Sequence, residues 1–248
     1  MRWGRLVAVA VYDGFAGRDR IRAGEAVKAR QNRIIFDWGM AHCQAHERRV
    51  LDIGPGDGAI AVHSQHEGLP YVAVEGSAVL CNVLRQRGLE VHQAYVPPLP
   101  QGVSGRFSTC YLLHVLEHMP DHRAASALFR EIREALLPGG SFVVACPDYS
   151  RWGADFYDCD YTHSYPLTRR RLRQIALDHG FEVVAQTVYC GPLFGSAGLP
   201  LAWIARLLYP RFMDALIGHR MPRDAINRGL LTFLPNLLMI ARRPLHSA

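Results

Sequence analysis

The sequence predicts an α/β fold built on a mostly parallel sheet, and three observations predict it. Short apolar runs alternate with helical stretches between residues 49 and 146. The first run, Val50-Leu51-Asp52-Ile53, breaks into Gly54-Pro55-Gly56-Asp57-Gly58. The second, Tyr71-Val72-Ala73-Val74, ends in a lone carboxylate, Glu75, which lies 23 residues beyond Asp52. Strands alternating with helices imply right-handed crossovers, and these make neighbouring strands parallel.

Taken in order, residues 21–46 read as a helix, because Ile21, Ala26, Ala29, Ile34, Trp38 and Ala41 recur at near-helical spacing among charges. Strands are expected at 49–53, 71–75, 89–93, 107–113 and 141–146, with helices at 58–67, 77–87 and 121–137 between them. Ser77 suits an N-cap, with Gly88 just past that helix's end. Asp121 suits the next cap, and Pro138-Gly139-Gly140 stops its helix. A polar, aromatic loop runs from Pro147 to Pro166. A helix at 168–179 follows, starting at Thr168 and ending at Gly180, and then a strand at 181–189. Residues 190–234 break the rhythm with Gly191, Pro192, Gly195, Gly198 and Pro200. They also carry helical stretches at Leu201–Tyr209 and Met213–Ile217. Leu237-Leu238-Met239-Ile240-Ala241 reads as the last strand. The expected organisation is an N-terminal helical segment (1–48), a core (49–189 with 235–243) and a helical insertion or lid (190–234).

At 248 residues the chain suits one large domain or a core with an appendage, and it can bury a core without disulfides. Its six cysteines are scattered and form no CxxC pair, so they read as reduced thiols. Residues 1–189 hold 21 basic and 20 acidic side chains, while residues 190–248 hold seven arginines against Asp214 and Asp224. A near-neutral core lacks the broad basic face of a nucleic-acid binder, so no nucleic-acid partner is expected. The run Leu6–Tyr12 is short for a signal peptide, and no small-residue cleavage site follows cleanly. No apolar stretch reaches the roughly 20 residues of a membrane span. A cytoplasmic location is expected.

Glycines at 54, 56 and 58 permit a tight strand-to-helix turn and let backbone approach a ligand closely. A carboxylate at the tip of the next strand can accept hydrogen bonds from a ribose diol. Further along, Leu112-Leu113-His114-Val115-Leu116-Glu117-His118-Met119-Pro120 leaves the fourth strand, and Leu136-Leu137-Pro138-Gly139-Gly140-Ser141-Phe142-Val143-Val144 turns into the fifth.

Together these segments resemble, in order and spacing, the class I S-adenosylmethionine-dependent methyltransferases, over residues 45–189 and the last strand near 236–242. The glycine stretch is similar to the family's first motif, Glu75 to its ribose-binding acid, and the other two segments to its "LEHLP" and "LKPGG" signatures. The resemblance implies a Rossmann-like, seven-stranded, mostly parallel sheet with helices on both faces. Its final strand would be antiparallel, inserted beside strand five. It also implies S-adenosyl-L-methionine as cofactor and S-adenosyl-L-homocysteine as product. Asp52 would help hold the methionine amino group, with Gly54, Pro55 and Gly56 lying under the methionine part. Glu75 would take the ribose hydroxyls. Gly76, Ala94 and Tyr95, with Leu113 and His114, complete the implied cofactor contacts.

Gly54-x-Gly56-x-x-Ala59 with an acid about 20 residues on also fits a dinucleotide site. Asp52 would crowd a pyrophosphate there, and the two later segments would have no role. One departure from the family is Gln93-Ala94-Tyr95, where an acid often contacts adenine. The other is Phe107-Ser108 in place of "FD".

The expected reaction is transfer of a methyl group to a small-molecule or glycan acceptor, with a hydroxyl oxygen favoured. The alternatives are C-methylation of a quinone-like ring and a cofactor-binding scaffold without turnover. Deprotonating a hydroxyl calls for a base. Asp158-Cys159-Asp160-Tyr161-Thr162-His163 lies in the loop after strand five, and His163 is the expected base, oriented by Asp160. His118 is either structural or substrate-facing. His114, Glu117 and His118 invite a metal reading by spacing. They leave a strand into a loop, however, so helical spacing cannot be assumed and no metal is expected. Trp152, Phe156, Tyr157, Tyr161 and Tyr165 form either an acceptor wall or a small satellite core. Residues 199–217, with Trp203 and Arg206, could act as a lid, a dimer surface or a membrane-surface contact. A monomer or a homodimer is expected.

Overall fold

The computed structural model describes residues 22–208 and 233–245. It begins with α1 (Arg22–Ala41), which ends earlier than its apolar periodicity suggests. Beyond Ala41 the chain leaves the helix to meet the sheet, and Gln44 N–H donates to Gly139 O at 2.9 Å. Then come β1 (Val50–Ile53), α2 (Ala59–His66), β2 (Tyr71–Glu75), α3 (Ala78–Gln86), β3 (Glu90–Gln93) and β4 (Phe107–Leu113). A single 3₁₀ turn, Leu116–His118, precedes α4 (His122–Ala135) and β5 (Leu136–Pro147). Two one-turn helices, α5 (Tyr149–Trp152) and α6 (Asp155–Asp158), interrupt the aromatic loop. α7 (Arg169–Asp178), β6 (Glu182–Cys190), β7 (Leu193–Phe194), α8 (Leu199–Leu208) and β8 (Asn236–Arg242) complete the order. The expected helix at Met213–Ile217 lies outside the described residues.

The sheet runs β3-β2-β1-β4-β5-β8-β6-β7. β1 to β5 pair in parallel, and β8 lies antiparallel between β5 and β6, as the sequence resemblance implies. The strand count is eight, not seven. Gly191 adopts a φ of 55°, which lets a two-residue turn fold Leu193 and Phe194 back onto β6 as an antiparallel edge. The helix expected over 121–137 stops at Ala135, and Leu136 is already extended and paired with Phe107. Pro138 has no N–H to donate and disfavours helix in the residue before it, so the change comes early.

β1 and β2 are buried at every position, because helices cover both faces of the sheet. On one face Leu51, Ile53, Val72 and Val74 pack with Leu128, Phe129 and Ile132 of α4 and Leu172 of α7. On the other, Val50, Ala73 and Tyr111 pack with Ile35 and Phe36 of α1, Ile60 of α2 and Leu84 of α3. The caps fall where the short polar residues lie. Ser77 Oγ accepts from Leu80 N–H, Asp121 Oδ1 from Arg123 and Ala124 N–H, and Thr168 Oγ1 from Arg171 N–H. Among the described residues no helix is long and apolar enough to cross a membrane.

α1 lies very close to the sheet. Tyr111 Oη donates to Phe36 O at 2.8 Å, and Ser141 Oγ donates to Gly39 O at 2.7 Å. A Cβ at Gly39 would stand 2.6 Å from Tyr111 Oη and 2.7 Å from Val143 Cγ2. Overpacking of that kind costs about 1–3 kcal/mol, more than the helix propensity an alanine gains. Gly39→Ala should therefore lower unfolding free energy by about 1–2 kcal/mol, read as a lower midpoint in urea at unchanged slope.

Candidate active site

The glycine stretch turns β1 into α2 with Gly54, Gly56 and Gly58 all at positive φ (68°, 56° and 77°). A Cβ at Gly54 would collide with Val115 Cγ2 at 2.4 Å, whereas a Cβ at Gly56 would meet nothing within 4 Å. One glycine is thus required by close approach of the β4 exit, and the other faces open space. Both lie at the carboxyl ends of the strands, where ligands bind in sheets of this kind.

Glu75, at the tip of β2, is 8% exposed and turned toward this loop. Its Oε1 accepts from Ser77 N–H at 2.8 Å and its Oε2 from Gly56 N–H at 3.4 Å. Gly76 is overlain by the Tyr95 ring, since a Cβ there would fall 2.6 Å from Tyr95 Cε1. Ala94 N–H donates to Glu75 O at 2.9 Å. Gly54, Pro55, Gly56, Glu75, Gly76, Ala94 and Tyr95 therefore converge on one rim at the ends of β1, β2 and β3.

Asp52 lies beneath that rim, buried on the α1 face, and accepts from Tyr71 Oη at 2.8 Å. Burial raises its pKa to about 7; the Tyr71 hydrogen bond opposes the rise, and the negative charges of Glu75 and Asp57 add to it.

Leu113 is half-buried against the α1-side core. His114 follows with φ 57°. Its Nδ1 is 3.2 Å from Glu117 Oε1, and its Nε2 is 2.9 Å from Tyr189 Oη. Glu117 is buried in the 3₁₀ turn. Burial would raise its pKa, but the hydrogen bond and positive charge of His114, with His118 beside it, hold it below the ordinary value.

His118 and His163 come together with ring centroids 4.8 Å apart. The loop that carries His163 is pinned to the turn, because Ser164 and Tyr165 N–H both donate to Glu117 O. Burial lowers the pKa of His118, partly offset by the negative charge of Glu117. The expected pairing of Asp160 with His163 is not formed. Asp160 Oδ1 accepts instead from Thr162 N–H at 2.9 Å and Thr162 Oγ1 at 2.7 Å, because a short carboxylate bonds readily to backbone two residues on. Thr162 Oγ1 is 2.9 Å from His118 Nδ1, so Asp160 supports His118, while His163 Nδ1 lies 2.7 Å from Phe156 O. Thr162 and Tyr189 join this cluster without having been singled out as site residues, and Glu117, noted in the sequence only for its spacing from the two histidines, is its buried member. Only the "LEH" spacing hinted at Glu117. The aromatic loop divides: Trp152 and Phe156 form a satellite core with Leu234, while Tyr157 and Tyr161 are exposed.

A sequence profile for the methyltransferase domain matches residues 22–186. The chain belongs to the methyltransferase-domain family. The chain is 29% identical over 120 residues to a Xanthomonas oryzae ubiquinone biosynthesis O-methyltransferase, a match covering 46% of this chain and 49% of the relative. The chain thus spans about half the length of the curated relatives it matches. Its fold is also similar to a SAM-dependent methyltransferase from Archaeoglobus fulgidus (TM-score 0.60, 17% identity, covering 95% of this chain and 99% of that one). A second similar fold is geranyl diphosphate C-methyltransferase from Streptomyces coelicolor (TM-score 0.57, 14% identity, 92% and 86% covered). The similar fold from Archaeoglobus fulgidus is described as SAM-dependent, which makes S-adenosylmethionine the donor to compare with this site. This chain's own residues fit that donor: open space over Gly56, a nearly buried carboxylate at Glu75 and an aromatic ring over Gly76 lie on one rim.

Asp52 makes the protein's stability depend on pH. The carboxyl titrates at about 7 in the fold and near 3.8 in the unfolded chain. Between those values the fold keeps a proton that the unfolded chain has released. The stabilisation is therefore complete below about pH 4 and is lost as pH rises through about 7. Asp52→Asn should remove this slope. Relative to wild type, the variant should gain of order 3 kcal/mol between about pH 5 and pH 8, read by urea unfolding at both.

Proposed function

We propose that this protein transfers the methyl group of S-adenosylmethionine to a hydroxyl oxygen of a small-molecule or glycan acceptor. The observation that carries the reading is a juxtaposition. The glycine-and-Glu75 rim and the Glu117–His118–His163 cluster, buried at Glu117 and half-buried at the two histidines, lie at the same carboxyl edge, linked by Val115, which packs against Gly54. The O-methyltransferase name of the curated relatives supports the choice of oxygen.

S-adenosylmethionine, when bound, supplies an electrophilic methyl carbon on a sulfonium sulfur. Glu75 would accept both ribose hydroxyls, already aimed by Ser77 and Gly56 N–H. Gly76, Ala94 and Tyr95 would border the adenine, and Leu113 and His114 would close the side nearest β4. Gly54, Pro55 and Gly56 would pass under the methionine part. Asp52 would face its ammonium group, which favours the ionised carboxylate and offsets the burial that holds Asp52 near neutrality. Alignment of donor and acceptor supplies most of the rate in a displacement of this kind. The acceptor's proton leaves toward the His118–His163 pair, held by Asp160 through Thr162 and by Phe156 O. The exposed Tyr157 and Tyr161 suit the face of a sugar or flat ring.

Calorimetric titration with S-adenosylhomocysteine tests the cofactor reading. Wild type should bind, and Glu75→Ala should weaken binding by about ten- to a hundred-fold, the loss of one or two charge-assisted hydrogen bonds. Binding of NADH in place of S-adenosylhomocysteine overturns it. With methyl-labelled donor and a hydroxylated acceptor panel, His163→Ala should reduce turnover by about a hundred-fold or more while leaving S-adenosylhomocysteine affinity unchanged.

A further inference from the structure

We propose that Glu117, His118 and His163 bind a divalent transition-metal ion through one carboxylate oxygen and two imidazole nitrogens, leaving coordination positions for the acceptor.

The first observation is an orphaned charge. Glu117 is 1% exposed. Its Oε1 meets His114, but its Oε2 is buried and has no hydrogen-bond partner. Leaving such an oxygen dry and unpaired is unfavourable, and more so when it carries charge. A cation beside it removes that cost.

The second observation is the orientation of the two imidazoles. Thr162 gives its hydroxyl proton to Asp160 Oδ1, so its oxygen is the acceptor toward His118, and Nδ1 of His118 carries the proton. Phe156 O can only accept, so Nδ1 of His163 carries the proton as well. In the neutral rings this makes Nε2 the basic nitrogen of each. A carboxylate or carbonyl holding the far nitrogen is how metal-bound histidines are fixed in tautomer and direction.

The third is proximity. One donor atom from each residue lies within 4.8 Å of the other two, the one such group among the described residues. A tetrahedral ion with bonds of about 2.1 Å wants donors about 3.4 Å apart, so loading draws the three side chains together by about 1 Å. Two nitrogens and one carboxylate suit Zn²⁺, Co²⁺ or Fe²⁺, while Mg²⁺ and Ca²⁺ prefer oxygen donors throughout. The sequence spacing of His114, Glu117 and His118 invites a metal reading that is set aside because helical spacing cannot be assumed where a strand runs into a loop. The third ligand comes instead from His163, 45 residues beyond His118.

The site's use rests on the methyl-transfer reading above. With the ion bound, both imidazole Nε2 atoms are ligands and take no proton, so the acceptor hydroxyl on the ion would instead release its proton to solvent, at lower pH than a free one. Its oxygen would then form the new bond to the methyl carbon as the carbon–sulfur bond breaks to a neutral thioether. The metal site itself does not depend on that reading.

The test uses the full chain, stripped with chelator, without donor or acceptor. Co²⁺ added to wild type should give visible ligand-field bands that saturate at one ion per chain, and calorimetry should show Zn²⁺ displacing it. Glu117→Gln and His163→Ala should each weaken Co²⁺ binding by about ten- to a hundred-fold, with circular dichroism confirming the fold. Thr162→Val, which keeps all three ligands, should weaken it by about tenfold. The absence of bands in wild type, or equal affinity in Glu117→Gln and His163→Ala, overturns the proposal. S-adenosylhomocysteine titration of the same stripped protein separates the two readings. Cofactor binding without metal binding sinks only the metal site, and metal binding without cofactor binding sinks only the methyl-transfer reading.

Discussion

The placement of every reactive group here depends on covering β1 and β4 with helices on both faces. Two covered faces leave no solvent-facing side along these strands, so their sequences are apolar almost throughout and polar groups collect where the strands end. Asp52 is the exception on β1. It lies within the covered layer, and its protonation is set by that burial more than by any partner. Its neighbour Tyr71 supplies the one hydrogen bond that makes a buried carboxyl tolerable there. α1 completes the same layer, and Gly39 is the point at which it comes closest to the sheet.

At the carboxyl edge the chain has two kinds of turn, and they do different work. The β1–α2 turn is made of glycines, which leaves backbone bare beside Glu75. The β4 exit is made of large residues, with His114 forced to a positive φ and Val115 filling the space that a side chain at Gly54 would need. The tightness of one turn is thus set by the bulk of the other. The 3₁₀ turn that follows exposes a single carbonyl, Glu117 O, which takes two N–H groups from the loop after β5. Those two bonds bring His163 to His118. The aromatic core under the loop, Trp152 and Phe156 with Leu234, fixes its other end.

The additions to the shared fold lie at its far edge. β7 extends the sheet by one short strand. α8 then presents Trp203 and Ile204 to solvent, 65% and 49% exposed. The conserved-fold part and these additions meet at Tyr189, whose hydroxyl reaches His114. The β6 edge is thereby tied to the candidate site through one hydrogen bond.

The sequence by itself determined the elements, their parallel order and the cofactor rim. Those follow from local rules: short continuous apolar runs, capping residues at Ser77, Asp121 and Thr168, and glycines where the backbone must turn or lie bare. It also located the LEH segment and the aromatic loop. Only the tertiary structure decided what these two segments do to each other. Asp160 lies three residues from His163 in sequence, yet it bonds Thr162 and supports His118, because side-chain partners in a folded loop are chosen by the surface it packs on. The strand count was decided in the same way, since a two-residue edge strand exists only by pairing with β6. The buried oxygen of Glu117 likewise has no signature in the chain, because burial of one carboxylate oxygen is a property of the folded packing around it.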